Sequence, residues 1–215
     1  MNAKGTKATV LPMLYRPISK DSPLVLASAS PRRKQLLRQM GISFRTMTSR
    51  VREDILSRDP LMNARLLAEA KAYAVTEKCE GSWILGADTI VVLGRAVLGK
   101  PGDEGEAFSM LRQLSGKEHR VITGFCLLTP DAETAHSEAV VTGVRFKTLT
   151  NREILGYIAT GEPFGKAGSY AIQGIGTFLV QGISGSYTNV VGLPLCTLVK
   201  ALLATGALKE FPIPS

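Results

Sequence analysis

The alternation of apolar and polar positions changes period repeatedly along the chain, and each change marks an element. Leu24-Val25-Leu26 is a short apolar run that ends in small hydroxyl residues, after which Leu36, Leu37 and Met40 recur at helical spacing. This predicts a strand, a turn and a helix over 31–40, with Ser30 as cap, Pro31 at the first helical position and Gly41 as the stop. Ile42-Ser43-Phe44 reads as a strand, and Asp59-Pro60 opens a second helix that runs to Val75. From Trp83 to Leu98 apolar residues dominate on both sides of Asp88, the mark of a buried strand, with a two-residue hairpin turn at Gly94-Arg95. Asp103 caps a third helix whose Ala107, Met110, Leu111 and Leu114 share one face, and Ser115-Gly116 ends it. Residues 119–128 and 138–149 read as two longer strands joined through Thr129-Pro130-Asp131. Thr150 and Glu153 form a capping box before a helix that ends near Gly161, and Gly192-Leu193-Pro194 opens a last helix to about Ala204.

Strands and helices are thus mixed, and the hairpin turns argue against a purely parallel doubly wound sheet. The expected fold class is α/β, with an elongated mixed β-sheet flanked by helices. No internal repeat, heptad array or low-complexity linker divides the chain. It is read as an N-terminal extension over 1–22, a mobile tail without sustained periodicity, then one domain over 23–208 and a C-terminal tail over 209–215.

Composition narrows the function classes. With 215 residues, 45% hydrophobic and 20% charged, the chain can bury a substantial core. No apolar run approaches the roughly 18 residues of a membrane span, so the expectation is a soluble protein without a membrane partner, in the cytoplasm. Cys79, Cys126 and Cys196 are odd in number and far apart, which suggests neither a disulfide framework nor a zinc site. His119 and His136 are the only histidines and offer no Ser-His-Asp system; His119 is expected to be a strand histidine with an ordinary hydrogen bond. The net charge of +8 attracts anions in general. Nucleic acid is disfavoured as the partner, because aromatic residues make only 6% and do not interleave with the basic ones.

Three stretches carry candidate chemistry. Arg32, Arg33 and Lys34 put cations at the positive end of a helix dipole, where each costs roughly 0.3–1 kcal/mol unless an anion answers it. A phosphate bound by free helix N–H groups and guanidiniums would answer it; a solvated basic turn is the plainer reading. Asp88 is costly in a buried strand unless it is paired or bound to metal. If the hairpin centres on Gly94-Arg95, Lys100 returns to the same end of the ribbon, although a slip of one residue would put it on the other face. Residues 165–192 hold seven glycines, which a bend or bulge in an antiparallel sheet explains, but Lys166 and Gln173 within them it does not.

These stretches also carry a resemblance. Ser28-Ala29-Ser30-Pro31-Arg32-Arg33, Gly86-Ala87-Asp88-Thr89, Leu98-Gly99-Lys100-Pro101, Leu114-Ser115-Gly116, and Lys166-Ala167-Gly168 with Ile172-Gln173-Gly174 resemble, in order, the motifs of the Maf family of nucleoside triphosphate pyrophosphatases. The resemblance covers roughly residues 24 to 205. It implies a fold like that of inosine triphosphatases, in which two lobes flank a central cleft. It implies hydrolysis of a nucleoside triphosphate between its α and β phosphates, with Asp88 as catalytic base. Ser28, Arg32, Arg33, Lys71, Thr89, Lys100, Lys166 and Gln173 are the substrate-binding residues it implies, and Mg²⁺ or Mn²⁺ the ion held by Asp88 and Glu53. At the latter position the family usually carries Asp-Glu, so Glu53 matches and Arg52 departs. Lys166 with Ile172-Gln173-Gly174 looks like the pyrimidine-type branch acting on dTTP and UTP, although Gly165 and Ser186 stand where Asp is common. The implied physiology is removal of unwanted nucleotides, with a link to division arrest, and a homodimer is kept open. The alternative from another class is a nucleotide-binding regulatory protein that uses the same cleft without turnover.

Overall fold

The computed structural model describes residues 15–52 and 57–213. Among these residues seven strands form one sheet: β1 (Leu24–Leu26), β2 (Phe44–Thr46), β3 (Ile84–Leu93), β4 (Ala96–Leu98), β5 (Glu118–Leu128), β6 (Thr134–Phe146) and β7 (Val180–Ser184). Their order is β2-β1-β3-β5-β6-β7, with β4 also paired to β3. β1 runs parallel to β2 and β3, and every other pairing is antiparallel. The sheet is therefore mixed, as expected. Among the described residues there are six α-helices: α1 (Pro31–Gln39), α2 (Pro60–Tyr73), α3 (Glu104–Leu114), α4 (Asn151–Ala159), α5 (Tyr187–Val191) and α6 (Leu195–Ala204). Among the described residues no helix is long and apolar enough to cross a membrane.

The local signals do what their chemistry predicts. Ser30 Oγ accepts from Arg33 N at the start of α1, Asp59 from Leu61 N at α2, and Asp103 from Glu106 N at α3. Thr150 and Glu153 make both bonds of the capping box on α4. Gly94 takes a positive φ in the tight hairpin that sets Val91 opposite Leu98. Several boundaries differ, β2 among them, which runs Phe44–Thr46 rather than from Ile42. β6 begins at Thr134, four residues before the apolar pattern does, because β5 continues as its partner to Leu128. α2 stops at Tyr73 and passes into a single 3-10 turn at Thr76–Lys78. α5 is too short to show a helical period. Of the stretch 1–22 read as a tail, residues 1–14 lie outside the described residues. Residues 15–22 lie against the body: Trp83 Nε1 donates to Arg16 O at 3.0 Å, and Ile18 N to Ala207 O at 2.8 Å.

Two cores share one face of the sheet. One gathers Leu85, Ala87, Phe125 and Leu127 against α1 and α6; the other gathers Val91 and Val121 against α3 and α4. Along that face β3 reads Leu85, Ala87, Thr89, Val91 and β5 reads Leu127, Phe125, Thr123, Val121, so a pair of threonines in register marks the seam between the cores. The opposite face carries α2. A Cβ on Gly86 would stand 2.1 Å from Ala68 O, and one on Gly124 would stand 2.2 Å from Ala64 O. Only glycine lets the helix come this close, and Ala64, Ala68 and Ala72 supply its matching small face.

Candidate active site

The site opens where β3 loses a neighbour. β1 pairs with it at Ile84 and Leu85, β4 at Val91 to Leu93, and between them no strand among the described residues covers that edge. β1 ends there and its chain turns into α1, so the helix N-terminus faces the gap. This is the usual place for a ligand, outside the carboxyl end of a parallel strand. A cleft of about 360 Å³ fills the gap. The Ser28–Arg33 segment lines one wall and the Gly165–Gln173 segment the other, with Lys71, Asp88, Thr89 and Lys100 between them.

Asp88 and Thr89 leave β3 on opposite faces. Asp88 meets α2, where Lys71 Nζ donates to its Oδ1 at 2.5 Å, and the two side chains are 8% and 9% exposed. A lysine on a helix is usually a surface residue, but Lys71 is buried because Gly86 and Gly124 draw α2 onto the sheet. The ammonium placed on Asp88 is thus that of Lys71. Lys100 stands exposed on the cleft rim, two residues past the end of the β4 ladder.

Thr89 faces the seam. Thr123 Oγ1 donates to Asn189 O at 2.9 Å, which uses its one proton; Thr89 Oγ1, 2.9 Å away, must therefore donate to Thr123 and accept from Arg33 Nη2 at 3.0 Å. Arg33 Nη1 donates to Ser28 Oγ at 3.1 Å and Nε to Gly192 O at 2.8 Å. The Arg33 fork thus ties α1 to the β1 turn, to β3 and to the segment before α6. Ser186 caps α5, its Oγ accepting from Asn189 N, a role an Asp side chain also fills.

Arg32 is half-buried and donates from Nε to Val191 O at 3.3 Å. Burial lowers its pKa, and the nearby Tyr157 and Glu162 oppose that shift. Lys166 Nζ donates to Glu162 O and, at 3.5 Å, to Phe164 O. Burial and the repulsion of Arg32 lower its pKa, with Glu162 opposing. Two cations on facing walls are thus partly stripped of water and repel each other, an arrangement that an anion between them relieves. His119 forms the expected bond, its Nε2 and the Tyr170 hydroxyl lying 2.8 Å apart. Burial lowers its pKa to about 4.

Every substrate residue expected from the motifs, Ser28, Arg32, Arg33, Lys71, Thr89, Lys100, Lys166 and Gln173, lines this one cleft, and so does Asp88. Glu53 lies outside the described residues. Sequence reasoning missed Glu162, Tyr157 and the Thr123–Asn189 link. Glu162 had a signal, being the single acid between Glu153 and Glu210.

A family model described as Maf-like protein matches residues 23–205. A dTTP/UTP pyrophosphatase of Citrifermentans bemidjiense is 51% identical over 190 residues, which is 88% of this chain and 98% of that protein. Another, of Syntrophotalea carbinolica, is 50% identical over 198 residues, 91% of this chain and 90% of its own length. A solved nucleoside-triphosphatase / dITP/XTP pyrophosphatase of Mycobacterium abscessus aligns at 12% identity and a TM-score of 0.40, over 86% of this chain and 97% of that one, too distant to bear on the chemistry.

Proposed function

The chain belongs to the Maf-like protein family, and from that membership we propose that it hydrolyses nucleoside triphosphates, dTTP and UTP foremost, to the monophosphate and pyrophosphate. It is a hydrolase of acid anhydrides. The observation that carries this reading is the buried Asp88–Lys71 pair at the open edge of β3, set beneath a helix N-terminus and between facing cations.

Phosphoanhydride hydrolysis asks for positioning and charge rather than covalent steps. Asp88 serves as the base that orients and deprotonates water, and Lys71 on Oδ1 fixes the rotation of its carboxylate. Arg32, Lys100, Lys166 and the first N–H groups of α1 face the phosphates and stabilise charge as pyrophosphate leaves. Arg33 adds charge while bracing the walls. Gln173 offers both a donor and an acceptor, which match the O4 and N3–H edge of uracil or thymine.

Asp88, the one acid among the described residues lining the cleft, is an oxygen donor of the kind Mg²⁺ and Mn²⁺ take. Among the described residues no three His, Cys, Asp or Glu cluster into a self-sufficient metal site, and such ions commonly take one or two carboxylates together with substrate phosphates. Asp88, with Glu53, would hold the ion, which would supply positive charge against the phosphates and make a bound water more acidic. The accompanying proposals are a cytoplasmic role in clearing unwanted nucleotides, a link to division arrest, and a homodimer.

The test is pyrophosphate release with Mg²⁺ or Mn²⁺ from dTTP, UTP, CTP, GTP and 7-methyl-GTP, with Gln173→Ala alongside. UTP and dTTP are expected to lead by roughly ten- to a hundredfold in kcat/KM, the scale of one polar group left unpaired by the wrong base. Should 7-methyl-GTP or GTP lead, the substrate is wrong. Binding without release would return the regulatory protein.

A further inference from the structure

The segment that presents Gln173 is clamped at both ends by two side chains that the motif stretches quoted above do not include. Ala171 N donates to the Tyr157 hydroxyl at 3.1 Å, and that hydroxyl donates to Glu162 Oε1 at 2.9 Å. On the far side of Gln173, Gly176 N donates to Oε1 at 2.9 Å and Ile175 N to Oε2 at 3.0 Å. Tyr157 is 1% exposed, at the end of α4, whose capping box and core packing hold it. The clamp also dictates the glycine beside Gln173. Gly174 takes φ +72°, and a Cβ there would stand 2.6 Å from Glu162 Oε2. The glycines permit the bend, and these bonds fix the path it takes.

From this geometry we infer that Tyr157 and Glu162 are positioning residues that determine base specificity, by holding the Gln173 amide at a set place on the cleft wall. The inference rests on the proposed pyrophosphatase function and deepens it. Glu162 also anchors the phosphate end of the same wall, since its carbonyl accepts from Lys166 Nζ. One residue therefore sets the spacing between the group that reads the base and a cation that meets the phosphates. Burial opposes the charge of Glu162, but the Gly176 and Ile175 N–H groups, the Tyr157 hydroxyl and the Lys166 ammonium together hold its carboxyl below the ordinary range. The clamp is thus a carboxylate that accepts all three donors. A neutral amide of the same shape cannot accept them all, because its nitrogen is itself a donor.

The experiment is a double-mutant cycle of Glu162→Gln and Gln173→Ala, with Tyr157→Phe as a second variant that keeps the ring and removes only the hydroxyl. The readouts are kcat and KM for UTP and GTP, and calorimetric affinities for both nucleotides. Expected for Glu162→Gln is a KM for UTP raised about tenfold, a smaller change in kcat, and a UTP-to-GTP preference cut about tenfold toward that of Gln173→Ala. In the Gln173→Ala background the same substitution should leave the preference where it is, because nothing remains to be positioned. Tyr157→Phe should move the preference in the same direction. The inference is overturned if Glu162→Gln lowers turnover on both nucleotides alike with the preference intact, or if it shifts the preference equally with and without Gln173. A wild-type chain that binds UTP without releasing pyrophosphate would refute the enzymatic reading alone, since the affinity ratios still judge the clamp.

Discussion

Replacing Asp88 by Asn separates the chemical role of this carboxylate from its structural one. The side chain keeps its size, so β3 is not disturbed, but Lys71 loses the anion 2.5 Å from its Nζ. Removing one partner of a buried pair costs about 3–5 kcal/mol, and an amide oxygen that still accepts from the ammonium returns about 1.5–3 kcal/mol of that. The net loss is then at most about 3.5 kcal/mol, a fall in Tm of no more than roughly 14 °C for a chain of this length. Domains carry about 5–15 kcal/mol, so the variant stays folded at 25 °C. Turnover should nevertheless drop about a hundredfold or more, the usual effect of removing a general base. The assay is pyrophosphate release from UTP at 25 °C, with calorimetry of UTP binding on the same sample and a thermal melt beside it. Binding retained and turnover lost places Asp88 at the chemical step. Turnover within a few-fold of wild type would refute the reasoning, whatever happens to Tm.

The two arginines of the first signature should behave differently. Arg32→Ala is expected to weaken triphosphate binding by about 1.5–3 kcal/mol while leaving nucleoside binding nearly intact, whereas Arg33→Ala removes the Ser28, Thr89 and Gly192 bonds and should lower Tm as well; calorimetry with both ligands plus melts distinguishes them. Gly124→Ala should cost about 1–3 kcal/mol by lifting α2 off the sheet, and should slow turnover by parting Lys71 from Asp88. Gly182→Ala on β7, where a Cβ meets nothing within 4 Å, is its control and should change neither melt nor turnover. His119 predicts acid lability. The unfolded chain protonates this histidine near 6.5 and the folded one near 4, so between those values the unfolded state binds more protons. Its contribution, on the order of 3 kcal/mol, is whole above 6.5 and is lost as pH falls toward 4. His119→Gln should therefore flatten the fall in Tm between about pH 7 and pH 5, and a variant as acid-labile as wild type would exclude His119 as the cause.

Most elements were legible because their signals are local. A cap needs only a side chain within three residues, so α1, α3 and α4 stand where the pattern put them, while the β3–β4 hairpin forms at Gly94-Arg95 in a register that the sequence had left open to a slip of one residue. What was illegible depends on partners far away in the chain. The early start of β6 follows from β5, not from its own apolar pattern. The burial of Lys71 follows from glycines in β3 and β5, although Ala64, Ala68 and Ala72 already marked a helix face with room for a sheet.

The cleft shows the same division in its chemistry. Motif residues were found because they recur in a family, but a motif does not say which of two neighbouring cations has a structural task. Arg32 and Arg33 are adjacent, yet a helix turns by about 100° between them, so one looks into the cleft and the other across its floor to Thr89 and Gly192. The threonine seam explains why an arginine sits there. Two apolar cores meet on one sheet face, the hydroxyls of Thr89 and Thr123 interrupt them, and a buried guanidinium satisfies one of those hydroxyls while tying α1 to the segment before α6. Thr89 also lines the cleft, so these bonds brace its floor. Making the seam apolar with Thr89→Val and Thr123→Val removes that brace and should draw the walls together. UTP affinity would then fall further than the loss of one hydroxyl contact, about 0.5–1.5 kcal/mol, accounts for. Calorimetry on the double variant decides the point, and an affinity loss within that range would leave the gap to backbone geometry alone.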